Sequence, residues 1–412
     1  MNGKRRKILA AVIALLMLML SYWVTSQRFA ISGETGLMRK IELVKGYFKP
    51  HINAMSDSVL LVNVGYDPIL VGATNENGMP IGLERITDRG KLLQLLTELK
   101  RRNDHKFILL DVIFPKDINT DADSALFNTI ATMDNIVIPR DLEGELADTC
   151  LYRKAAVANY FTNYKFVSFA KYPYLVNGQP SLPLKMYEAL THRHIREFGP
   201  LAVDGFSIAR KSLVLTFDLR CDSAYTADGE KTLYNLGMDL LGSNYVVNGD
   251  TIQGQDELYT SPELTRGKYI IIGSFNGGDM HYSYMENQPG PVILFNAYLA
   301  LLHGHHRVSF WVFMLLYVAF FILSYLILSQ QNLSVVIAGN KASKYRVLRL
   351  GQQMLSIVVS WIGYSMFLTI LCTITYIWMD EVYDIFITAT LFQILSMVVN
   401  LIYKHKDKHR YA

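Results

Sequence analysis

The sequence predicts an α/β fold: a large extracytoplasmic domain with a mixed sheet, joined to an all-α membrane part. Two observations predict it. Long uncharged apolar runs lie near both chain ends, and patterns typical of buried strands and amphipathic helices alternate between them. In addition, 51% of the 412 residues are hydrophobic, a high fraction for a wholly soluble protein. The membrane part is predicted to hold one N-terminal and three C-terminal transmembrane helices.

The four apolar runs are each close to the ~20 residues that a helix needs to cross a hydrocarbon core. They cover residues 8–25, 308–329, 354–379 and 385–403. The first run has a basic start, but no small-residue cleavage signal follows it. We therefore expect a retained anchor and not a cleaved signal peptide.

The charges that flank these helices predict their orientation. Basic residues gather at both termini and in the loop after the second helix, whereas the turn before the fourth helix is acidic. Since cytoplasmic loops carry the excess of lysine and arginine, both termini are expected in the cytoplasm, with the helices in the plasma (inner) membrane. The predicted segments are a tail 1–7, helix 8–27, outer domain 28–307, helix 308–329, loop 330–353, helix 354–379, turn 380–384, helix 385–403 and tail 404–412.

The net charge of +4 is unevenly distributed over this topology. The predicted cytoplasmic segments hold twelve Lys/Arg and one acid, a net charge of +11, so the remainder of the chain carries 4 − 11 = −7, and no basic stripe marks the outer domain. The expected partner at this level is the lipid bilayer, and no nucleic acid is expected.

The outer domain shows the alternation of an α/β fold. Its apolar runs predict buried strands, and the leucine spacing of GKLLQLLTELKRR predicts an amphipathic helix with Asp88 as a candidate N-cap. A strand, a helix and a second buried strand form a βαβ unit. The predicted strands are 59–64, 107–113, 135–138, 213–217 and 269–273, and the predicted helices are 90–102, 121–132, 183–198 and 291–303.

The stretch KYIIIGSFNGGDMH, residues 268–281, runs from a buried strand into a glycine-rich loop. A phosphate-binding loop would need a lysine with a serine or threonine, or a helix that begins directly after the glycines. Neither is present, so no nucleotide or other cofactor is expected. Catalytic motifs such as H-E-x-x-H and G-x-S-x-G are also absent, which predicts a protein that is not an enzyme. Asp111, at the end of a strand, could be a functional acid or could accept hydrogen bonds from loop amides.

Two patterns could bind metal. In DINTDAD, Asp117, Asn119, Asp121 and Asp123 have the spacing of the first ligands of a calcium loop, but the required glycine and glutamate are missing. The alternative is a loop in which Asp121 or Asp123 caps the next helix. In HGHH, residues 303–306, the histidines could bind zinc only with partners from elsewhere, or could form a wet boundary near the membrane.

Two further pairs of residues have alternatives that the sequence leaves open. Cys150 and Cys221 share the outer domain and could form a disulfide or remain separate. Gln393 and Asn400 lie on one face of the last helix, where amides need partners in another helix. They are expected either to pack within the three-helix group or to form a docking face for a separate membrane protein.

The segment ELTRGKYIIIGSFNGGDMHYSYMENQPGPVILFNAYLALLHG resembles the closing segment of the CHASE2 family of extracytoplasmic sensor domains. The similarity extends to SDSVLLVNVGYDPIL, to SLPLKMYEAL and to TDRGKLLQLLTELKRRNDHKFILLDVIFP, whose Asp111 and Phe114 match an Asp-x-x-Phe signature. Together with the order of anchor, domain and three helices, the resemblance covers about residues 30–403. It implies a ligand-binding set of Asp111, Phe114, Arg89, Gly273 and Asp279.

The chain departs from the family pattern in three places. Glu-Arg-Ile-Thr replaces the Trp-Pro-Trp that usually precedes Asp88-Arg89, and the Asp-Gly turn of the family's middle region is not visible around residues 159–173. In addition, only nine residues follow the last helix, where family members continue into a kinase or cyclase. The resemblance thus implies a sensor or sensory accessory protein that binds an unknown extracytoplasmic small molecule or protein. It would signal through its helices to a separately encoded membrane or cytoplasmic effector. The alternatives are a membrane scaffold, including a homo-oligomer, and thirdly an extracytoplasmic enzyme.

Overall fold

The structure is a computed structural model of the whole chain. It describes residues 3–26, 32–48, 58–74, 79–158, 171–199, 201–215, 218–219, 232–241, 245–247, 250–252, 262–276, 279–283, 287–331, 346–379 and 381–410.

The chain forms two compact units. The α/β unit contains Pro50–Glu197 and Ser212–Gly304. The membrane unit contains Met1–Lys49, Phe198–Lys211 and His305–Ala412, so a short segment from the middle of the chain belongs with the terminal helices.

A six-stranded sheet forms the centre of the α/β unit, and every neighbouring pair in it is parallel. Its order is β14-β1-β17-β4-β5-β6, with the late strand β17 inserted between two early strands. The strands are β1 Val59–Asn63, β4 Phe107–Leu110, β5 Ile136–Arg140, β6 Ala155–Val157, β14 Leu233–Asn235 and β17 Tyr269–Gly273. Four of them, β1, β4, β6 and β17, are buried along their whole length, as expected for a parallel sheet covered on both faces.

One face of this sheet is covered by α3 Arg89–Arg102 and α4 Asp123–Thr132. The sequence forms α3 because leucines recur at helical spacing and Asp88 accepts hydrogen bonds from the amides of Gly90 and Lys91, which confirms the predicted cap. The helix ends at Asn103, which adopts the left-handed conformation. The leucines of α3 and the apolar side chains of α4 form a single core with alternate residues of the central strands.

The opposite face is covered by α5 Leu182–Thr191 and α7 Gly290–Leu302. Tyr269 of β17 packs edge-on against Phe295 of α7, and its hydroxyl lies 2.9 Å from that of Tyr298. Asn296 of α7 is fully buried, and its amide exchanges hydrogen bonds with the backbone of Leu219. These contacts fix α7 beside the central strand that precedes it.

The described residues also form short elements outside the main sheet. They are β2 Pro68–Thr74, β3 Pro80–Thr87, a 3-10 turn Thr149–Leu151, β7 Lys171–Pro173, β8 Leu175–Val176, β9 Gln179–Pro180, β10 Ile195–Phe198, β11 Leu201–Asp204, β12 Ser207–Ala209, β13 Ser212–Val214, a π-helical turn Leu236–Leu240, β15 Tyr245–Val247, β16 Asp250–Ile252, α6 Pro262–Thr265, β18 Met280–Tyr282 and β19 Asn287–Pro289.

The membrane unit is built on helices α1 Gly3–Thr25, α2 Ser32–Phe48, α8 Phe310–Leu328, α9 Arg346–Met379 and α10 Ile385–Arg410. Four apolar spans in them are long enough to cross a membrane, which confirms the four predicted by the sequence: Gly3–Thr25, Phe310–Leu328, Gly351–Met379 and Ile385–Tyr403. Two hydrogen bonds join helix ends at the same end of the bundle. The backbone amide of Asp384 donates to Thr25 Oγ1, and the backbone amide of Ser309 donates to the carboxylate of Glu381. We call this the 25/309/381 end.

Several predicted elements differ from the structure. The main sheet is wholly parallel and not mixed as predicted. Among the described residues, antiparallel strand pairs lie outside this sheet. One of them joins β7 to β13, which was predicted to be a core strand. The predicted helix 183–198 ends at Thr191, because His192 adopts a left-handed conformation, and a strand follows. The sequence analysis also missed α2, in which Glu42 and Lys45 are buried. Glu42 accepts a hydrogen bond from the hydroxyl of Tyr376, and the ammonium group of Lys45 lies over the ring of the same tyrosine.

Candidate functional site: a cleft at the carboxyl ends of the parallel strands

Two residues of the predicted ligand set lie at adjacent strand ends, and a third follows close by. Asp111 comes directly after β4, and its amide still donates to the carbonyl of Ile272 in β17, at 2.7 Å. Gly273 is the last residue of β17, and Asp279 lies in the segment after it. In an α/β fold with a parallel sheet, the crevice at the carboxyl ends of the strands is the usual place for a ligand.

Asp111 has an unusual electrostatic environment. Its side chain is partly buried at the edge of the cleft. Burial and the nearby negative charge of Asp279 together raise the pKa of Asp111 to about 8. The carboxyl group is therefore mostly protonated at neutral pH, where it can donate a hydrogen bond.

Asp279 is the second acid of the cleft, and His281 is its partner. Asp279 Oδ1 lies 2.8 Å from His281 Nε2, and both side chains are partly exposed. The same carboxylate lies against Gly290, the first residue of α7, where a Cβ would lie only 2.5 Å from Asp279 Oδ2. The partial positive charge of a helix N-terminus favours an anion at this position.

The cleft contains two adjoining cavities of about 470 Å³ each. Both are lined by Asp279 and by part of β3, and one of them also contains Asp111 and His281. The β3 lining consists of Glu84, Arg85, Ile86 and Thr87. The complete lining is Val64, Gly65, Pro68, Glu84, Arg85, Ile86, Thr87, Asp111, Val112, Ile113, Pro115, Ile118, Asp141, Ala158, Ser274, Asn276, Asp279, His281, Gly290 and Leu294.

Glycines let the chain segments around the cleft approach each other closely. A Cβ on Gly273 would overlap the ring of Pro291 and lie 3.2 Å from the Cβ of Asp111. A Cβ on Gly65 would overlap the side-chain amide of Asn276. The glycine at the end of β17 therefore allows close packing of the acid-bearing segments, whereas Gly277 and Gly278 of the same loop lie outside the described residues.

Side-chain amides link the strand ends beneath the cleft. Asn63 at the end of β1 donates to the Oδ1 of Asn235 at the end of β14, at 3.0 Å. Its own Oδ1 accepts from the amides of Gly65 and Phe275, which joins the segments after β1 and β17. These bonds hold the floor of the cleft in one arrangement.

Arg89 and Phe114 belong to a structural cluster and do not line the cleft, contrary to their predicted ligand role. Arg89 is buried, and its Nη1 donates to Asp123 Oδ2 at 2.6 Å and to the carbonyl of Ile118 at 3.0 Å. Its guanidinium lies against the rings of Phe114 and Phe127, which pack edge-to-face with each other. This cluster joins the start of α3 to the start of α4.

The structure does not bring the predicted calcium ligands together. Asp117, Asn119 and Asp121 are exposed, and Asp123 is already paired with Arg89. The capping alternative also fails in its predicted form, since the helix begins at Asp123 itself and no side chain caps it. Asp123 instead accepts hydrogen bonds from the amide and hydroxyl of Thr120. Within the described ranges, no three His, Cys, Asp or Glu side chains are placed to hold a metal ion.

Two of the three histidines of HGHH have acidic partners, and these partners are distant in sequence. His303 Nδ1 lies 3.6 Å from Asp218 Oδ2 in the α/β unit. His306 is fully buried in the membrane unit, with its Nε2 3.0 Å from Asp204 Oδ2. Burial lowers the pKa of His306 to about 4, although Asp204 acts in the opposite direction, so this imidazole stays neutral at neutral pH.

Two other predictions concern cysteines and membrane amides. Cys150 has a free thiol, whereas Cys221 lies outside the described residues, so a bridge between them stays a prediction. Gln393 is buried within the membrane unit, and the amide oxygens of Gln393 and Asn400 are buried without a hydrogen-bond partner among the described residues. The choice between packing among the helices and a docking face stays a prediction.

The sequence analysis placed Asp111 and Asp279 in one ligand set but did not pair the two acids, and it did not include His281. Asp279 is far from Asp111 along the chain and approaches it only when β17 inserts beside β4. Both acids follow apolar strands, and this shared position is the sequence signal that could have indicated the pair. The spacing of two residues between Asp279 and His281 permits the pairing that the structure shows.

The arrangement offers a protonated carboxyl group beside a carboxylate–imidazole pair, in a cleft whose other lining residues are largely apolar. Such a site can bind a small polar ligand by donating and accepting hydrogen bonds, and it has the groups for proton transfer. Comparisons with known proteins gave no match, whether to a family model, to a curated protein or to a solved structure.

Proposed function

We propose that this protein is a membrane-anchored sensor or sensory accessory protein whose α/β unit binds a small polar ligand outside the cell. The supporting observation is the cleft at the strand ends, where Asp111 and Asp279 meet beside His281. The resemblance to the CHASE2 family and the four membrane spans support the same function. The bound state would pass through the transmembrane helices to a separately encoded effector, in the plasma membrane of a bacterium.

The charges of the cleft favour a cationic ligand. The lining contains the acids Glu84, Asp141 and Asp279 besides Asp111, whereas Arg85 is its arginine. With Asp111 protonated, the lining carries more negative than positive charge. A cavity of this sign attracts ligands of the opposite charge, such as a small primary or secondary amine.

The ligand hypothesis is tested by melting the full-length protein in mild detergent with panels of small amines, carboxylates and phosphates. A ligand present at 100 times its dissociation constant should stabilise the unit that binds it by about 2.7 kcal/mol. We expect an amine to raise the melting temperature of wild type, and Asp279→Asn to abolish the shift.

Asp134→Asn is the matched control, because Asp134 is a fully exposed acid of the same unit that does not line the cleft. This variant should respond as wild type does. If no compound shifts the melting temperature, the ligand function fails and the scaffold alternative is favoured. A shift that survives Asp279→Asn would place the ligand elsewhere.

The effector hypothesis needs its own experiment. The tagged protein, expressed at its native level, is extracted from its own membranes in mild detergent, and the co-purifying chains are identified. A kinase, cyclase, protease or transport subunit would support signalling through a separate partner. Recovery of only this chain would favour a homo-oligomeric scaffold.

An extracytoplasmic enzyme is the second candidate, because the protonated Asp111 lies beside the Asp279–His281 pair. Acids with separated protonation states are typical of general acid–base catalysis. Compounds that stabilise the protein are incubated with it and analysed by mass spectrometry for products. Turnover by wild type but not by Asp111→Asn, with binding retained, would favour the enzyme over the sensor.

A further inference from the structure

We propose that the β-hairpin formed by Leu201–Asp204 and Ser207–Ala209 contacts the lipid bilayer with its exposed apolar face and its tip. The hairpin belongs to the membrane unit, although it comes from the middle of the predicted outer domain. This lipid contact is independent of the proposed ligand cleft.

The exposed side of the hairpin is apolar. Gly205 and Phe206 form its two-residue turn, with a positive φ at the glycine, as hairpin turns of this type require. Phe206 is fully exposed, and the cross-strand pair of Val203 and Ile208 lies on the outward face.

The opposite face of the hairpin is directed into the protein. Ala202 and Ala209 form a buried cross-strand pair. Asp204 is the single charged residue of the sequence LAVDGFSIA, and it is buried on this inner face. The outward face therefore carries no charge, which is unusual for a strand pair that faces water.

The hairpin is fixed beside the start of the membrane helix α8. Asp204 Oδ2 accepts from Arg307 Nε at 2.7 Å and lies 3.0 Å from His306 Nε2. Ala209 forms an antiparallel bridge with Arg307, and the amide of Val308 donates to the carbonyl of Ile208 at 2.9 Å.

Arg210 anchors the base of the hairpin to the helix bundle. Its Nη1 donates to the carbonyl of Val382 at 2.7 Å, and its Nη2 donates to that of His305 at 2.6 Å. Val382 belongs to the turn between α9 and α10, so the hairpin is attached to the 25/309/381 end of the bundle.

The direction of the pairing determines where the tip lies. Because Ala209 pairs with Arg307 in antiparallel fashion, the chain from Ile208 back to Phe206 follows the direction from Val308 to Phe310. Phe310 is the first residue of α8, a 19-residue apolar span. The tip therefore lies at the level of the first turn of a membrane helix.

Tryptophans mark the same end of the bundle as a membrane interface. Trp23 lies in the last turn of α1, Trp311 in the first turn of α8 and Trp378 in the last turn of α9, and all three are exposed. Tryptophan is enriched where a membrane meets water. An uncharged hairpin with an exposed phenylalanine at this level has the composition of an element that inserts into the lipid interface. We expect the hairpin to contact the lipids of the outer leaflet.

Photocrosslinking tests the proposal on the full-length protein in phosphatidylcholine–phosphatidylglycerol liposomes. Phe206 is replaced by p-benzoylphenylalanine, and in separate variants so are Ile208 and, as the positive control, Trp311. We expect irradiation to add the mass of one lipid to the 206 and 208 variants, with yields comparable to that of the 311 variant. The substitution at position 206 should not disturb the packing of the protein, since the side chain of Phe206 is fully exposed.

Two outcomes would overturn the proposal. Crosslinked dimers without lipid adducts at 206 and 208 would show that a second copy of the chain covers the hairpin. Lipid adducts at 311 alone would show that the hairpin faces water.

Discussion

Replacing Asp111 with asparagine removes a titrating carboxyl from the cleft and leaves a neutral side chain of nearly the same shape. In the folded protein, burial and the charge of Asp279 raise the pKa of Asp111 to about 8, whereas an unfolded aspartate titrates near 3.9. The folded state therefore keeps this proton between about pH 4 and pH 8, while the unfolded state loses it.

The sign and size of the effect follow from this difference. The stabilising contribution of the Asp111 proton is fully present below about pH 4 and is lost as the pH rises to about 8, at about 1.4 kcal/mol per pH unit. Asp111→Asn has no such loss. Between pH 5 and pH 7, wild type should thus lose about 2.7 kcal/mol of unfolding free energy relative to the variant, which is about 100-fold in the opening equilibrium.

Hydrogen exchange of the central strand Tyr269–Gly273 measures this difference in the full-length protein in detergent. The strand has the same sequence in both proteins, so at each pH the ratio of exchange rates gives the ratio of opening constants. We expect wild type to exchange progressively faster than Asp111→Asn as the pH rises from 5 to 7. In Asp279→Asn the pH dependence should be weaker, because one of the two causes of the raised pKa is removed.

A ratio that stays constant from pH 5 to pH 7 would refute the reasoning, since Asp111 would then titrate outside this range. A ratio that changes in the opposite direction would show that a positive charge compensates Asp111 and lowers its pKa.

The other predictions concern the helix that covers the sheet. Arg89→Met should destabilise the α/β unit by about 3 kcal/mol, because it leaves the buried carboxylate of Asp123 without its ion pair. Arg101→Met, on the exposed side of the same helix, should leave the stability close to that of wild type, because water screens its pair with Glu98. Thermal melting of the two variants checks this, and equal effects would contradict the structural role of Arg89. Asp88→Ala should cost about 1 kcal/mol by removing the N-cap, measurable as faster exchange in the first turn of the helix, and unchanged exchange there would contradict the cap.

Much of the fold was predictable because its signals are local. The leucine spacing and Asp88 specify the helix Arg89–Arg102, since both the period of a helix and its capping are properties of neighbouring residues. The membrane spans follow from composition alone, because a helix in lipid must be apolar over its length. The strand Val59–Asn63 is likewise evident from a continuous apolar run.

Strand pairing was harder to predict, because it depends on residues far apart in the chain. Leu233–Asn235 pairs with Val59–Asn63 at the edge of the sheet but has no long apolar run of its own. Ser212–Val214 does have an apolar run, yet it pairs outside the main sheet. The interpretation of Arg89 as a ligand residue failed for a related reason, since its partner Asp123 comes from the next helix.

The sequence by itself determined the membrane helices, the amphipathic helix α3 and the central strands, because hydropathy and periodicity act over a few neighbouring residues. Only the tertiary structure determined which residues meet in the cleft and where the hairpin is attached. Insertion of β17 beside β4 brings Asp279 to Asp111, and attachment of the hairpin to residues 306–308 transfers Phe206 to the membrane unit. Both depend on which distant backbone groups pair, and no local pattern of side chains specifies that choice.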